Sequence, residues 1–166
     1  ALRHASEAVR IDPRNAEAHY NRGTALLRGG RMEEAAASLE EALRIDPGNW
    51  RAHTNLGEIC YHQGEVEQAL VHWEDALLIN PDDPLANHNC AVQYENRGAY
   101  DRAIIHFRRY LEQETDAAET RLRVAALLER QGWPDEAAGE YRMILERDPN
   151  NGEARTRLAA LEKRSR

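Results

Sequence analysis

Small and apolar positions return along the chain at helical spacing, in segments separated by glycine or by an acidic or amide residue followed by proline. A stripe with that period sets one face of a helix against a core and leaves the other to water. The pattern predicts four pairs of helices. The first members run over about 15–28, 49–62, 83–96 and 117–130. The second members run over about 31–45, 65–79, 99–113 and 133–147. A further helix precedes them over 1–11, with Ala1, Ala5, Ala8 and Val9 on one face. Another follows over 152–164, where Ala154, Leu158 and Leu161 form a stripe flanked by Arg155, Arg157, Glu162, Lys163 and Arg164. A half-polar last helix suits the end of a stacked array.

The pairs repeat. Gly30, Gly64, Gly98 and Gly132 stand 34 residues apart, and Ala35, Ala69, Ala103 and Ala137 keep the same period. Leu39, Trp73, Phe107 and Tyr141 form a third column. Pro13, Pro47, Pro81 and Pro149 form a fourth, with Thr115 in place of the expected proline. Each column has a physical reason. Glycine closes the first helix, where a left-handed residue is cheapest. The alanine lets two helices approach, and the larger residue fills the space beside it. Proline after Asp or Asn stops the unit. Asp83 before Pro84 predicts an N-cap with proline at the first helical position. Asp116 and Glu119 make a capping-box-like pair that offsets the missing proline.

These columns closely resemble the tetratricopeptide repeat family. The second unit carries the likeness best, as Asn55-Leu56-Gly57 followed by Gly64, Ala69, Trp73, Ala76 and Pro81. The fourth unit departs most, opening with Arg121-Leu122-Arg123-Val124-Ala125 and placing Trp133-Pro134 after its turn. The resemblance implies an all-α fold, a right-handed α-α superhelix of antiparallel hairpins, as one domain over 1–166. Within it, 1–15 is the second helix of a truncated repeat, 16–49, 50–83, 84–117 and 118–151 are full repeats, and 152–166 is a capping helix. It also implies a concave groove, lined mainly by the first helices, that binds extended peptides or partner helices.

Composition narrows the function classes. Ala, Leu, Glu and Arg dominate and β-branched residues are scarce, which argues against a sheet. Net charge is −7. Residues 1–83 hold eight arginines against fifteen acids, and residues 84–166 hold fourteen cations and fourteen acids. No basic stripe emerges, so nucleic acid is not expected as a partner. No apolar run reaches the roughly 20 residues of a membrane span, and no signal peptide is visible. Cys60 and Cys90 lack metal-ligand spacing and read as small buried hydrophobes. They lean slightly toward a reducing, cytoplasmic compartment, which otherwise stays unknown.

Candidate chemistry centres on the first helices. Asn21, Asn55 and Asn89 recur every 34 residues, and the series stops at Arg123. In some superhelical members of the family that this chain resembles, asparagines in this column form a ladder that holds peptide backbone. An amide offers one acceptor and two donors, so it can pair with both sides of a peptide unit. The competing reading is that these amides satisfy the backbone of neighbouring helices. The same groove is expected to receive Tyr20, Thr24, Arg28, Arg51, Thr54, Glu58, His62, His88, Val92, Glu95, Leu122 and Arg130. Arg51, Arg123 and Arg130 can pair acidic side chains of a ligand. Relatives that clamp a terminal carboxylate carry Lys and Asn. Here Tyr20, Thr24, Leu85 and Asn89 stand at those places and only Asn55 matches, so no such clamp is expected.

Seven histidines raise the question of a metal. His4, His72 and His106 share one column, and His19 and His53 another. Equivalent residues of successive hairpins lie about 8–10 Å apart, too far for a common zinc with bonds near 2.0–2.1 Å. No metal site and no cofactor are expected. Phosphate loops, zinc-protease motifs and nucleophile elbows are missing, so no catalysis is expected either. The leading expectation is a non-catalytic adaptor that binds a peptide or partner protein. Two others stand beside it. The chain opens in mid-repeat, as the recognition arm of a larger enzyme such as a glycosyltransferase or sulfotransferase would. The apolar face of helix 1–11 also offers a route to a homo-oligomer.

Overall fold

Every residue except 115, 116, 165 and 166 is described in the structure, a computed structural model. The expected Asp116–Glu119 capping pair and Thr115 therefore involve positions outside the described residues. The described residues form ten helices and no strand. They are α1 (Leu2–Ile11), α2 (Ala16–Arg28), α3 (Met32–Ile45), α4 (Trp50–His62) and α5 (Val66–Ile79). Then follow α6 (Pro84–Asn96), α7 (Tyr100–Gln113), α8 (Ala118–Arg130), α9 (Pro134–Arg147) and α10 (Gly152–Arg164). Each paired helix starts one residue later than its sequence pattern predicts. No described helix is long and apolar enough to cross a membrane.

Local chemistry sets these boundaries. Gly30, Gly64, Gly98 and Gly132 all take positive φ, between 73° and 83°. After each, an amide reaches back across the turn: Arg31 N to Leu26 O at 3.0 Å, Glu65 N to Cys60 O at 2.8 Å, Ala99 N to Tyr94 O at 2.9 Å and Trp133 N to Leu128 O at 2.9 Å. That bond and the left-handed glycine make the helix-ending Schellman motif, so every hairpin turns the same way at the same place. At the other end, Asn15, Asn49 and Asn151 cap helices by accepting from Ala18 N, Ala52 N and Ala154 N. Asp83 caps α6 by accepting from Leu85 N at 3.3 Å. Its second oxygen accepts from the Thr54 hydroxyl at 2.6 Å, which ties the start of α6 to the middle of α4.

Two compact units divide within α6, Ala1–Asn89 and Cys90–Arg166. In the first, α2 packs on α3 and α4 on α5, with α1 laid against α2. Leu26, Leu39, Leu56 and Ile59 form a core with Ala35, Ala42 and Ala52. Small residues set the helix spacing. A Cβ on Gly23 would lie 2.6 Å from Leu39 Cγ, and one on Gly57 would lie 2.4 Å from Trp73 Nε1. Helix α1 is not left unpaired, since Leu2 packs on this core, yet none of its residues is fully buried.

The second unit joins α8 to α9, with α7 against α8 and α10 against α9. Val124, Leu127, Leu128, Tyr141 and Ile144 are buried there. The Tyr141 hydroxyl donates to Glu129 Oε1 at 2.7 Å. Burial and that carboxylate push the phenol far above its ordinary range, so it stays a donor. Arg121 and Glu140 form a mostly buried ion pair at 3.0 Å, which Arg108 extends toward Glu136.

Candidate functional site

Of the depressions on the first unit, two are lined by expected groove residues and together hold about half of them. The larger is about 580 Å³ and is bordered by Tyr20, Asn21, Thr24 and Arg28 of α2 and by His4 and Ala8 of α1. The smaller is about 280 Å³ and is bordered by Thr54, Glu58 and His62 of α4, Leu85 and Asn89 of α6, and Trp73 of α5. Positions four residues apart on a helix share a face, which is why Tyr20, Thr24 and Arg28 come together, as do Thr54, Glu58 and His62.

The asparagines sit differently from one another. Asn55 is half-buried and donates from Nδ2 to Thr24 Oγ1 at 3.0 Å, joining α4 to α2. Asn21 is exposed and donates to Glu17 at 3.2 Å. Asn89 is half-buried on the wall of the smaller depression. The Thr24 bond uses one of the two N–H donors of the Asn55 amide. That bond goes to a side-chain hydroxyl of the neighbouring helix rather than to its backbone.

Other expected residues are placed as follows. Thr54 is only 5% exposed; its hydroxyl is bound to Asp83 and to Trp50 O, so it shapes the wall rather than projecting from it. Glu58 and His62 lie 3.9 Å apart on α4. Arg51 is exposed and stacks on Trp50, 5.1 Å from the ring centre. His88 is half-buried. Val92 and Arg123 belong to the second unit. There the guanidinium of Arg123 is engaged with Glu95 at 3.1 Å from Nε and lies over the Phe107 ring. Arg130 lies over Tyr100 at 4.6 Å. Both cysteines are buried, and burial pushes the Cys60 thiol up.

One cluster was not anticipated. His53 of α4 and His72 of α5 meet with their Nδ1 atoms 3.2 Å apart, and Asp75 Oδ2 lies 3.9 Å from His53 Nδ1. Comparing equivalent positions of successive hairpins kept the two histidine columns apart. The contact runs instead across one hairpin, between the columns. The signal was present as a separation of 19 residues, which Thr54 and Trp73, and Arg121 and Glu140, also bridge.

Burial holds both imidazoles below their ordinary value near 6.5, with Asp75 pulling the other way; His72 adds to the lowering at His53, and Glu40 opposes it at His72. The unfolded chain therefore takes up these protons first as pH falls. Stability is full above about pH 6.5 and declines below it, toward the lower folded values. Urea midpoints should fall between about pH 7.5 and about pH 5.5. The fall should be shallower in His72→Gln. Equal slopes in the two proteins would refute this.

Family profiles described as tetratricopeptide repeat match residues 1–49, 26–88 and 118–161. No curated protein matches the chain by sequence. Solved structures match over nearly all of it. YrrB, a TPR protein with an unusual peptide-binding site, superposes with a TM-score of 0.83 at 19% identity, over 99% of this chain and 85% of that one. MamA gives 0.71 at 20% identity, over 92% and 89%. A tetratricopeptide repeat protein from Parabacteroides merdae gives 0.70 at 25% identity, over 89% of this chain and 59% of that one. At these identities the likeness is one of fold.

Proposed function

Because the chain belongs to the tetratricopeptide repeat family, we propose that it is a non-catalytic binding module that holds an extended peptide segment of a partner protein along its first helices. One observation carries the reading. Asn55 bonds Thr24, which borders the larger depression, and sits beside Thr54 and one turn from Glu58, which border the smaller. Its remaining N–H and carbonyl oxygen are the pair that one peptide unit needs. Asn21 and Asn89 border the two depressions themselves. A ladder of amides reads backbone, so affinity accrues over several bonds and side-chain selectivity comes from the walls. Those walls are mixed: His4, Arg28 and Tyr20 in one, Glu58, His62, Leu85 and Trp73 in the other. The peptide-binding site named for YrrB supports the same use of the fold.

The test is a peptide array probed with the protein and with a variant carrying Asn21→Ala, Asn55→Ala and Asn89→Ala. Each bond contributes about 0.5–1.5 kcal/mol net, so the variant should bind recovered peptides about tenfold or more weakly. Its thermal midpoint should fall by only a few degrees, because Asn21 is exposed and the bond lost between helices is that of Asn55 to Thr24. Unchanged binding of every recovered peptide would remove the ladder.

A further inference from the structure

We propose that His53, His72 and Asp75 form a binding site for a divalent transition ion of the Zn2+ class, which staples α4 to α5. The geometry is already close to that of an occupied site. A tetrahedral ion with bonds of about 2.0–2.1 Å holds two ligand nitrogens about 3.3 Å apart. The two Nδ1 atoms stand at 3.2 Å. Asp75 follows His72 by three residues and so shares its face of α5. Its Oδ2 is 3.9 Å from His53 Nδ1, and the three donor atoms all lie within 4.8 Å of one another. The Asp75 side chain is 44% exposed, which gives the carboxylate room to close on an ion.

Without metal, the 3.2 Å contact requires that one Nδ1–H donate to the other Nδ1, so at most one ring carries a proton there. Burial lowers the basicity of both rings, and neutral imidazole is the form that ligates. On binding, the shared proton leaves Nδ1 and the ring is reprotonated at Nε2 through solvent, so both imidazoles remain neutral. Two nitrogens and one oxygen suit Zn2+ and its neighbours rather than Ca2+ or Mg2+. Water completes the fourth position, with Glu40 of α3 near enough for its charge to act on His72.

The rest of the chain shows how unusual this pair is. Two repeats further on, the same two columns hold the ion pair Arg121–Glu140. In the other repeats the first-column side chain reaches back to a proline carbonyl: His19 Nε2 to Pro13 O at 3.0 Å, and Asn87 Nδ2 to Pro81 O at 2.8 Å. In the second hairpin alone both columns carry imidazole.

The test is calorimetric titration of the metal-stripped protein with ZnCl2 at about pH 7.5, above the range in which these rings protonate. Thermal unfolding is followed in parallel, with Co2+ as an optical probe. One equivalent should bind with a saturable rise in the unfolding midpoint, and Co2+ should give visible ligand-field absorption of a low-coordinate site. Asp75→Asn, at a half-exposed position that keeps the fold, should bind about tenfold or more weakly. His72→Ala should abolish the absorption, and His4→Ala should leave it unchanged. Absence of binding at micromolar Zn2+, or binding that Asp75→Asn and His72→Ala leave intact, would overturn the site and leave the contact a simple hydrogen bond. Neither outcome bears on peptide binding.

Discussion

Trp73→Ala is expected to cost the first unit about 3–5 kcal/mol, the usual range for emptying a large buried aromatic site. The indole is 1% exposed. It closes directly over Gly57, donates from Nε1 to Thr54 O at 3.3 Å, and has the Tyr61 ring 5.9 Å away. Helices held apart at a fixed turn cannot collapse fully into the vacated space, so the cavity cost adds to the lost transfer energy. In a stacked fold each hairpin also leans on its neighbours, so α2 and α3 should lose protection with α4 and α5. Urea unfolding followed by far-ultraviolet circular dichroism measures the total, and hydrogen exchange shows where it falls. A loss under about 1 kcal/mol would mean that the site refills.

Gly57→Ala is expected to destabilise by about 1–3 kcal/mol, although alanine is the better helix former by about 1 kcal/mol. The new methyl group would sit 2.4 Å from Trp73 Nε1 and 2.5 Å from Cδ1. The indole is fixed on all sides, so α4 and α5 would have to separate. The third and fourth repeats hold the remedy. There the same columns carry Ala91 with Phe107 and Ala125 with Tyr141, all buried. Gly57→Ala should therefore cost much less in a Trp73→Phe background. A double-mutant cycle reads that coupling directly. A cycle without coupling would show that Gly57 is required for some reason other than the indole.

How much of this was legible beforehand depends on how far apart in the chain the cause and its effect lie. Helix ends were readable to within one residue because they rest on the backbone preferences of single residues: glycine at positive φ, proline after Asp or Asn, and an amide or carboxylate cap. The column pairing of small with large residues was readable too, because a repeat prints each contact several times. The groove residues were less so. Tyr20, Asn21 and Thr24 do share one depression, and Glu58, His62 and Asn89 another. Thr54 and Arg123, both expected to offer themselves to a ligand, spend their polar groups on Asp83 and Glu95, each 28 or 29 residues away.

The amino-acid sequence by itself determined the helix count, the turns and the interval between hairpins, since these follow from local backbone energetics repeated down the chain. Tertiary structure alone decided which polar groups are spent inside the fold. It turned Thr54 inward and engaged Arg123, and it brought His53 of one column against His72 of another. Those outcomes depend on the register in which two antiparallel helices meet. Side-chain packing over a whole hairpin sets that register, and no single residue carries it.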